Sequence, residues 1–90
     1  MTAVASELAL HPRAQRELDG VPRRDFERID ATLWALRDIP RPMGVHKLEG
    51  DLHRVRVGDW RVLYVILDHE RRIVIVRVAR RSERTYKFLP

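Results

Sequence analysis

The stretch RVRVGDWRVLYVI, residues 54–66, alternates on both sides of one dipeptide, and no other feature constrains the fold of this chain as strongly. Arg54, Val55, Arg56 and Val57 lead into Gly58-Asp59, and Trp60, Arg61, Val62, Leu63 and Tyr64 lead away, a period of two on each side. Glycine at the first central position suits a type II′ hairpin turn, because a residue without a Cβ takes the required positive φ at no steric cost. A two-residue loop then sets the register: Val57 faces Trp60, Arg56 faces Arg61, Val55 faces Val62 and Arg54 faces Leu63. Arg56 and Arg61 become direct cross-strand neighbours, and like charges opposed in this way cost up to about 1 kcal/mol. The pairing weakens the sheet, which raises the question of what the arginines are for.

The rest of the chain supplies elements that can cover such a hairpin. A short first strand is expected at about residues 3–9. His11-Pro12 then opens a helix over PRAQRELD, with Ala14 and Leu18 on one side and Asp19-Gly20 ending it. Pro22 stands where the first turn of a second helix begins. That helix runs to about Arg37, with Phe26, Ile29, Leu33 and Leu36 at helical spacing and Asp25 and Glu27 near its positive N-terminal end. The prolines of IPRPMG stop it and extend the chain. Strands are expected at roughly 52–58, 60–67 and 72–79, with DHERR as a longer turn. This order predicts an α+β class: an N-terminal helical hairpin packed on one face of a small, mainly antiparallel β-sheet, with residues 1–90 as a single domain.

Strand parity predicts what each face of the sheet carries. Val55, Val57, Trp60, Val62, Tyr64 and Ile66, continued by Val74, Val76 and Val78, form the seat for the helices. The other face carries Arg54, Arg56, Arg61 and Arg77, then Leu63, Val65, Ile73 and Ile75 toward its far end. No acidic residue in these strands can neutralise the arginines. One half of the face therefore suits an anion and the other a protein.

The distribution of charge agrees. Residues 1–45 hold seven arginines against seven acids, while residues 46–90 hold eleven Lys/Arg against six, so the whole net charge of +5 lies in the second half. Nucleic acid is the usual partner of such a half, because Lys and Arg that displace phosphate counterions supply non-specific affinity. With no cysteine, a disulfide framework and thiolate chemistry are excluded, and a reducing compartment fits. No run of about 18 apolar residues exists and the N-terminus lacks the basic start of a signal peptide, which predicts a cytoplasmic protein with no membrane partner. The histidines at 11, 46, 53 and 69 have no metal-ligand spacing, and no cofactor is implied.

KLEGDLHRVRVGDWRVLYVI followed by VIVRVARRSERTY resembles the RelE/ParE superfamily of toxins from bacterial and archaeal toxin–antitoxin pairs. LALHPRAQREL and the helix after it match that family's strand and helical hairpin. In the RelE branch the resemblance implies a toxin that enters the ribosomal A site and cuts mRNA without a metal, using the 2′-hydroxyl as nucleophile. By position, Arg61 matches the hairpin arginine that holds the scissile phosphate. Arg81 matches the arginine at the end of the last strand, which acts on the leaving 5′-oxygen or steadies the developing charge, and Tyr86 the C-terminal tyrosine that helps orient the nucleotide. Arg56, and with it Arg54, match a basic pair that is lysine in RelE. Lys47, Arg77, Arg80, Arg84 and Lys87 extend the expected RNA-binding surface.

Lysine replaced by arginine changes the chemistry. Arginine is a fixed planar fork for phosphoryl oxygens, but with a pKa above about 12 it is a poor acid or base. Lys47, His46, His53 and Tyr86 remain as candidates for taking the proton. Each also has a plainer reading, as a solvated loop residue for Lys47 and His46, a satisfied core imidazole for His53 and a packing aromatic for Tyr86. Trp34 reads as core or as an antitoxin contact. The resemblance implies as partners an antitoxin with an acidic C-terminal segment, the ribosome and mRNA. In the ParE branch the same fold inhibits DNA gyrase and cuts nothing, and a third reading is an inactive relative that binds only antitoxin or RNA.

Overall fold

In the computed structural model, which describes residues 6–81, the hairpin forms in the register its turn demands. Strand β3 (Leu52–Val57) pairs antiparallel with β4 (Trp60–Leu67), setting Val57 against Trp60, Arg56 against Arg61, Val55 against Val62 and Arg54 against Leu63. Gly58 has φ +60° and Asp59 is not in the positive region, as a type II′ turn requires.

Around it stand β1 (Glu7–Leu10), α1 (Pro12–Asp19), α2 (Arg23–Asp38), β2 (His46–Glu49), a turn of 3-10 helix over Asp68–Glu70 and β5 (Arg72–Arg80). The sheet order is β1-β5-β4-β3-β2, with β1 parallel to β5 and every other neighbour antiparallel. The sheet is therefore mixed. β2 was not expected from the sequence; HKLE shows no alternation and forms as an edge strand with a register shift between Lys47 and Glu49. Among the described residues, no helix is long and apolar enough to cross a membrane.

The helices begin and end for local reasons. The His11 side chain accepts a hydrogen bond from the Arg13 N–H at 3.1 Å, Pro12 occupies the first turn where no donor is needed, and Gly20 closes α1. α2 follows Pro22 and buries Ile29, Leu33 and Leu36, with Phe26 half-buried. The two helices spread over the sheet: α1 packs on β5 and β1, α2 on β1 and β3. Both feed one core with Val57, Trp60, Val62, Tyr64 and Ile66.

On β5 the expected faces are half reversed. Ile73 and Ile75, expected opposite the helices, are fully buried in the core, and Val74 and Val76, expected in the core, are only half-buried. The cause is a bulge. Leu63 pairs with Arg77 but Tyr64 pairs with Ile75, so Val76 is the extra residue and parity flips across it. Val78 and Arg77 keep their expected sides. The apolar end of the arginine face thus shrinks to Val65 and Val74, while Leu63, between Arg54 and Arg77 in the register, is fully buried.

The arginines are also not all without an acid, as the strands alone suggested. Glu17 of α1 meets Arg77, with Nη2 to Oε2 at 2.7 Å and Nε to both oxygens at 3.0 and 3.1 Å, and its Oε1 accepts the Val78 N–H at 2.9 Å. β1 ends at Leu10 opposite Ile75, so beyond that point Glu17 satisfies the edge of β5 that β1 leaves open. Arg77 is 5% exposed, and losing Glu17 takes its two-pronged carboxylate from a buried charge. Glu17→Ala should lower unfolding stability by about 3 kcal/mol or more, measured by urea denaturation.

A second long-range tie fixes the start of the sheet. The Tyr64 hydroxyl donates to the Pro40 carbonyl at 2.8 Å, and its ring stacks on the buried imidazole of His53, centroids 5.7 Å apart. Burial pushes the Tyr64 phenol from the ordinary 10 up to about 12, opposed by the charge of Arg41. A folded pKa above the unfolded one means that this stability is complete below pH 10 and is lost as pH rises through about 12. Tyrosinate absorbance should show one of the two tyrosines ionising only near pH 12, a step that Tyr64→Phe removes.

Candidate nucleic-acid interface

Strand pairing puts residues directly opposite one another on the same face, so the β3–β4 and β4–β5 registers arrange the arginines in rows. Arg56, Arg61 and Ala79 form the row nearest the turn, and His46, Arg54, Leu63 and Arg77 the next. Arg56 is exposed, Arg54 and Arg61 half-buried, and Arg77 buried on Glu17. Ala79, the cross-strand neighbour of Arg61, is buried at 1% exposed.

At the turn end of this face lies a cleft of about 460 Å³ lined, among the described residues, by Asp59, Arg61, Arg80 and Arg81. The end of β5 is brought there by its own backbone: the Arg81 N–H donates to the Asp59 carbonyl at 2.6 Å, clamping the strand exit to the turn. Arg80 is the cross-strand partner of Trp60, and its guanidinium sits 4.6 Å from the centre of the indole ring. The indole Nε1 donates to Asp25 Oδ2 at 3.2 Å, so α2 sets the plane on which Arg80 rests. Three arginines line one open cleft, and a guanidinium's planar paired donors suit phosphoryl oxygens.

Of the expected site residues, the structure sets Arg61, Arg80 and Arg81 around the cleft, places Arg56 opposite Arg61 and Arg54 one row away, and starts the Arg80 side chain from the helix-side face, as the partner of Trp60. Arg77 faces the same side but is held by Glu17 rather than offered to solvent. Lys47 is exposed on β2 but pairs with His53, which puts it on the opposite face from the arginines. His53 is 4% exposed, its Nδ1 2.8 Å from the Asp51 carbonyl. His46, paired with Arg54, is the proton-accepting candidate that shares the arginine face. Tyr86, Arg84 and Lys87 lie outside the described residues. Among those described, no group of three or more His, Cys, Asp or Glu side chains is placed to hold a metal ion.

A second surface lies behind the site. A groove of about 300 Å³ runs between β1 and the two helices, floored by Leu8, Leu10, Leu18 and Leu33, with Phe26 and Trp34 beside them. Trp34 is 52% exposed, with Arg37 stacked 5.1 Å from its ring, so it belongs to the surface and not to the core.

The turn glycine, Gly58, also has the end of the Arg28 side chain against it. A Cβ there would fall 2.9 Å from Arg28 Nη2. Gly58→Ala should destabilise the fold by about 1 kcal/mol through the positive φ, the exposed Arg28 guanidinium swinging aside at little cost, read as a lowered denaturation midpoint.

The comparisons with known proteins agree with this architecture. The sequence model of the family described as ParE toxin of type II toxin–antitoxin system, parDE, matches residues 8–85. Toxin RelE of Mycobacterium tuberculosis is 33% identical over 87 residues, covering 92% of this chain and 88% of that one. The RelE–RelB complex of the archaeon Pyrococcus horikoshii matches with TM-score 0.81 and 28% identity, over 88% of this chain and 98% of the matched chain. The toxin–antitoxin complex RelBE2 of Mycobacterium tuberculosis matches with TM-score 0.76 and 26% identity, over 87% and 100%.

Proposed function

Because the chain belongs to the ParE toxin family of type II toxin–antitoxin systems and is RelE-like in sequence and fold, we propose that it is a ribosome-dependent, metal-independent mRNA endoribonuclease. The observation that carries this reading is the open cleft at the hairpin turn lined by Arg61, Arg80 and Arg81, with Arg56 directly opposite Arg61 in the register. Arg61, with Arg56 opposite it, holds the non-bridging oxygens of the scissile phosphate. The 2′-hydroxyl loses its proton to a base, its oxygen attacks phosphorus, and the bond from phosphorus to the 5′-oxygen breaks. Arg81 steadies the charge on that leaving oxygen, which ends protonated. The products are a 2′,3′-cyclic phosphate and a 5′-hydroxyl. Arginine holds charge well and moves protons poorly, so the base is another group; His46, on the arginine face, is the candidate the register favours, and Tyr86 is a further candidate by its titratable chemistry.

The Pyrococcus horikoshii and Mycobacterium tuberculosis structures are toxin–antitoxin complexes, and this chain is proposed to act in the cytoplasm under the control of an antitoxin. The apolar groove with its exposed Trp34 and the arginine face together give such a partner both apolar and charged contacts. A second reading, inhibition of DNA gyrase without cleavage, is favoured by the family description itself, which names parDE.

One experiment separates the two. Expression without antitoxin should arrest growth, mapped mRNA 5′ ends should show cuts within translated codons, and a gyrase supercoiling assay run in parallel should show no inhibition. Cleavage should persist in EDTA when ribosome integrity is preserved. A 3′-hydroxyl product would overturn the mechanism. Arg61→Ala should abolish toxicity while its melting midpoint stays within a few degrees of wild type; a large drop would identify a structural arginine instead.

A further inference from the structure

The hairpin turn is cationic on a second side, supplied by α2, that the cleavage chemistry above does not use. Asp25 and Arg28 are three residues apart on this helix and share a face, and that face meets the turn. Asp25 Oδ2 accepts from the Trp60 indole at 3.2 Å, and the Arg28 guanidinium lies against Gly58, where a Cβ would come within 2.9 Å of Nη2 and 3.1 Å of Nη1. Arg80, the cross-strand partner of the same tryptophan, holds its guanidinium 4.6 Å from the ring centre. Arg28 and Arg80 are both exposed, and among the described residues neither forms an ion pair. The acids nearby are Asp25, occupied by the indole N–H, and Asp59, whose backbone carbonyl holds Arg81 and whose residue lines the cleft.

We propose that Arg28 and Arg80 form a second phosphate subsite, for a nucleotide next to the one held at Arg61 and Arg81, so that single-stranded RNA bends round the tip of the β3–β4 hairpin. This rests on the RNA-cleaving reading and extends it to substrate path. Gly58 admits the Arg28 guanidinium to the turn, Trp60 is the platform that keeps Arg80 extended toward solvent, and Asp25 fixes the platform. A guanidinium held flat against a glycine or a ring keeps its outer N–H donors pointed outward, which suits bidentate contact with phosphate. Asp25, Gly58 and Trp60 are positioning residues; Arg28 and Arg80 touch the RNA.

The test uses the full-length toxin, freed from its antitoxin and refolded, with a fluorescent ten-nucleotide single-stranded RNA carrying 2′-O-methyl groups so that it cannot be cut. Affinity is measured by anisotropy over a salt series. Arg28→Gln and Arg80→Gln should each weaken binding roughly three- to tenfold and flatten the slope of log affinity against log salt by about 0.7, one phosphate contact on a single strand. Arg71→Gln removes the same charge at the opposite end of β4 and should match wild type. If Arg28→Gln behaves like Arg71→Gln while Arg61→Gln still loses affinity, the subsite is wrong and the RNA reading stands. If wild type and Arg61→Gln bind equally weakly, the RNA reading itself fails and takes the subsite with it. A melting midpoint several degrees lower for Arg28→Gln with an unchanged salt slope would make Arg28 a brace for the turn, overturning the subsite.

Discussion

The Glu17 carboxylate joins the helical layer to the strand that ends in the site. β5 leaves its first neighbour at Ile75, and from there its outer edge would carry unsatisfied backbone donors next to a buried guanidinium. Glu17 meets both needs at once, accepting from Val78 N–H and from Arg77 Nε and Nη2. With that edge secured, β5 runs straight on to Arg80 and Arg81, and the Arg81 N–H closes on the Asp59 carbonyl of the turn. The strand exit and the hairpin turn are thereby parts of one rigid corner.

The bulge at Val76 lets a single strand serve two environments. On one side of it Ile73 and Ile75 enter the core opposite Ile66 and Tyr64; on the other, Val78 enters the core while Ala79 lies beside Arg61. An unbroken register would have left either the isoleucines or Val78 outside the core. The extra residue accommodates both sets.

Arginine in place of lysine gives the corner a particular character. Guanidiniums keep their charge at any pH the cell meets and hold a planar geometry that packing can preset: Arg80 on an indole, Arg28 on a glycine. In the proposed reaction this favours binding and charge stabilisation over proton transfer. The pH dependence of cleavage then belongs to a separate group, and His46 on the neighbouring strands' arginine face has suitable chemistry for it.

The amino-acid sequence by itself determined the features whose causes lie within a few residues. Gly58-Asp59 between alternating strands set the hairpin register, including Arg56 against Arg61; Pro12 and Gly20 bounded α1; the spacing of Ile29, Leu33 and Leu36 oriented α2. The cationic row at the turn was legible for the same reason. Only the tertiary structure decided the rest. IVIVR reads equally well in either parity, so the bulge was invisible; HKLE becomes a strand because β3 offers it an edge. The pairing of Arg77 with Glu17 spans 60 residues, and it withdraws from solvent an arginine that strand parity alone assigns to an open face. Arg28 looks from its sequence like one more charge on a solvated helix, and its place against Gly58 follows from how α2 meets the turn. Such contacts join groups far apart along the chain, and their energies come into being only when folding has brought those groups within a few ångströms.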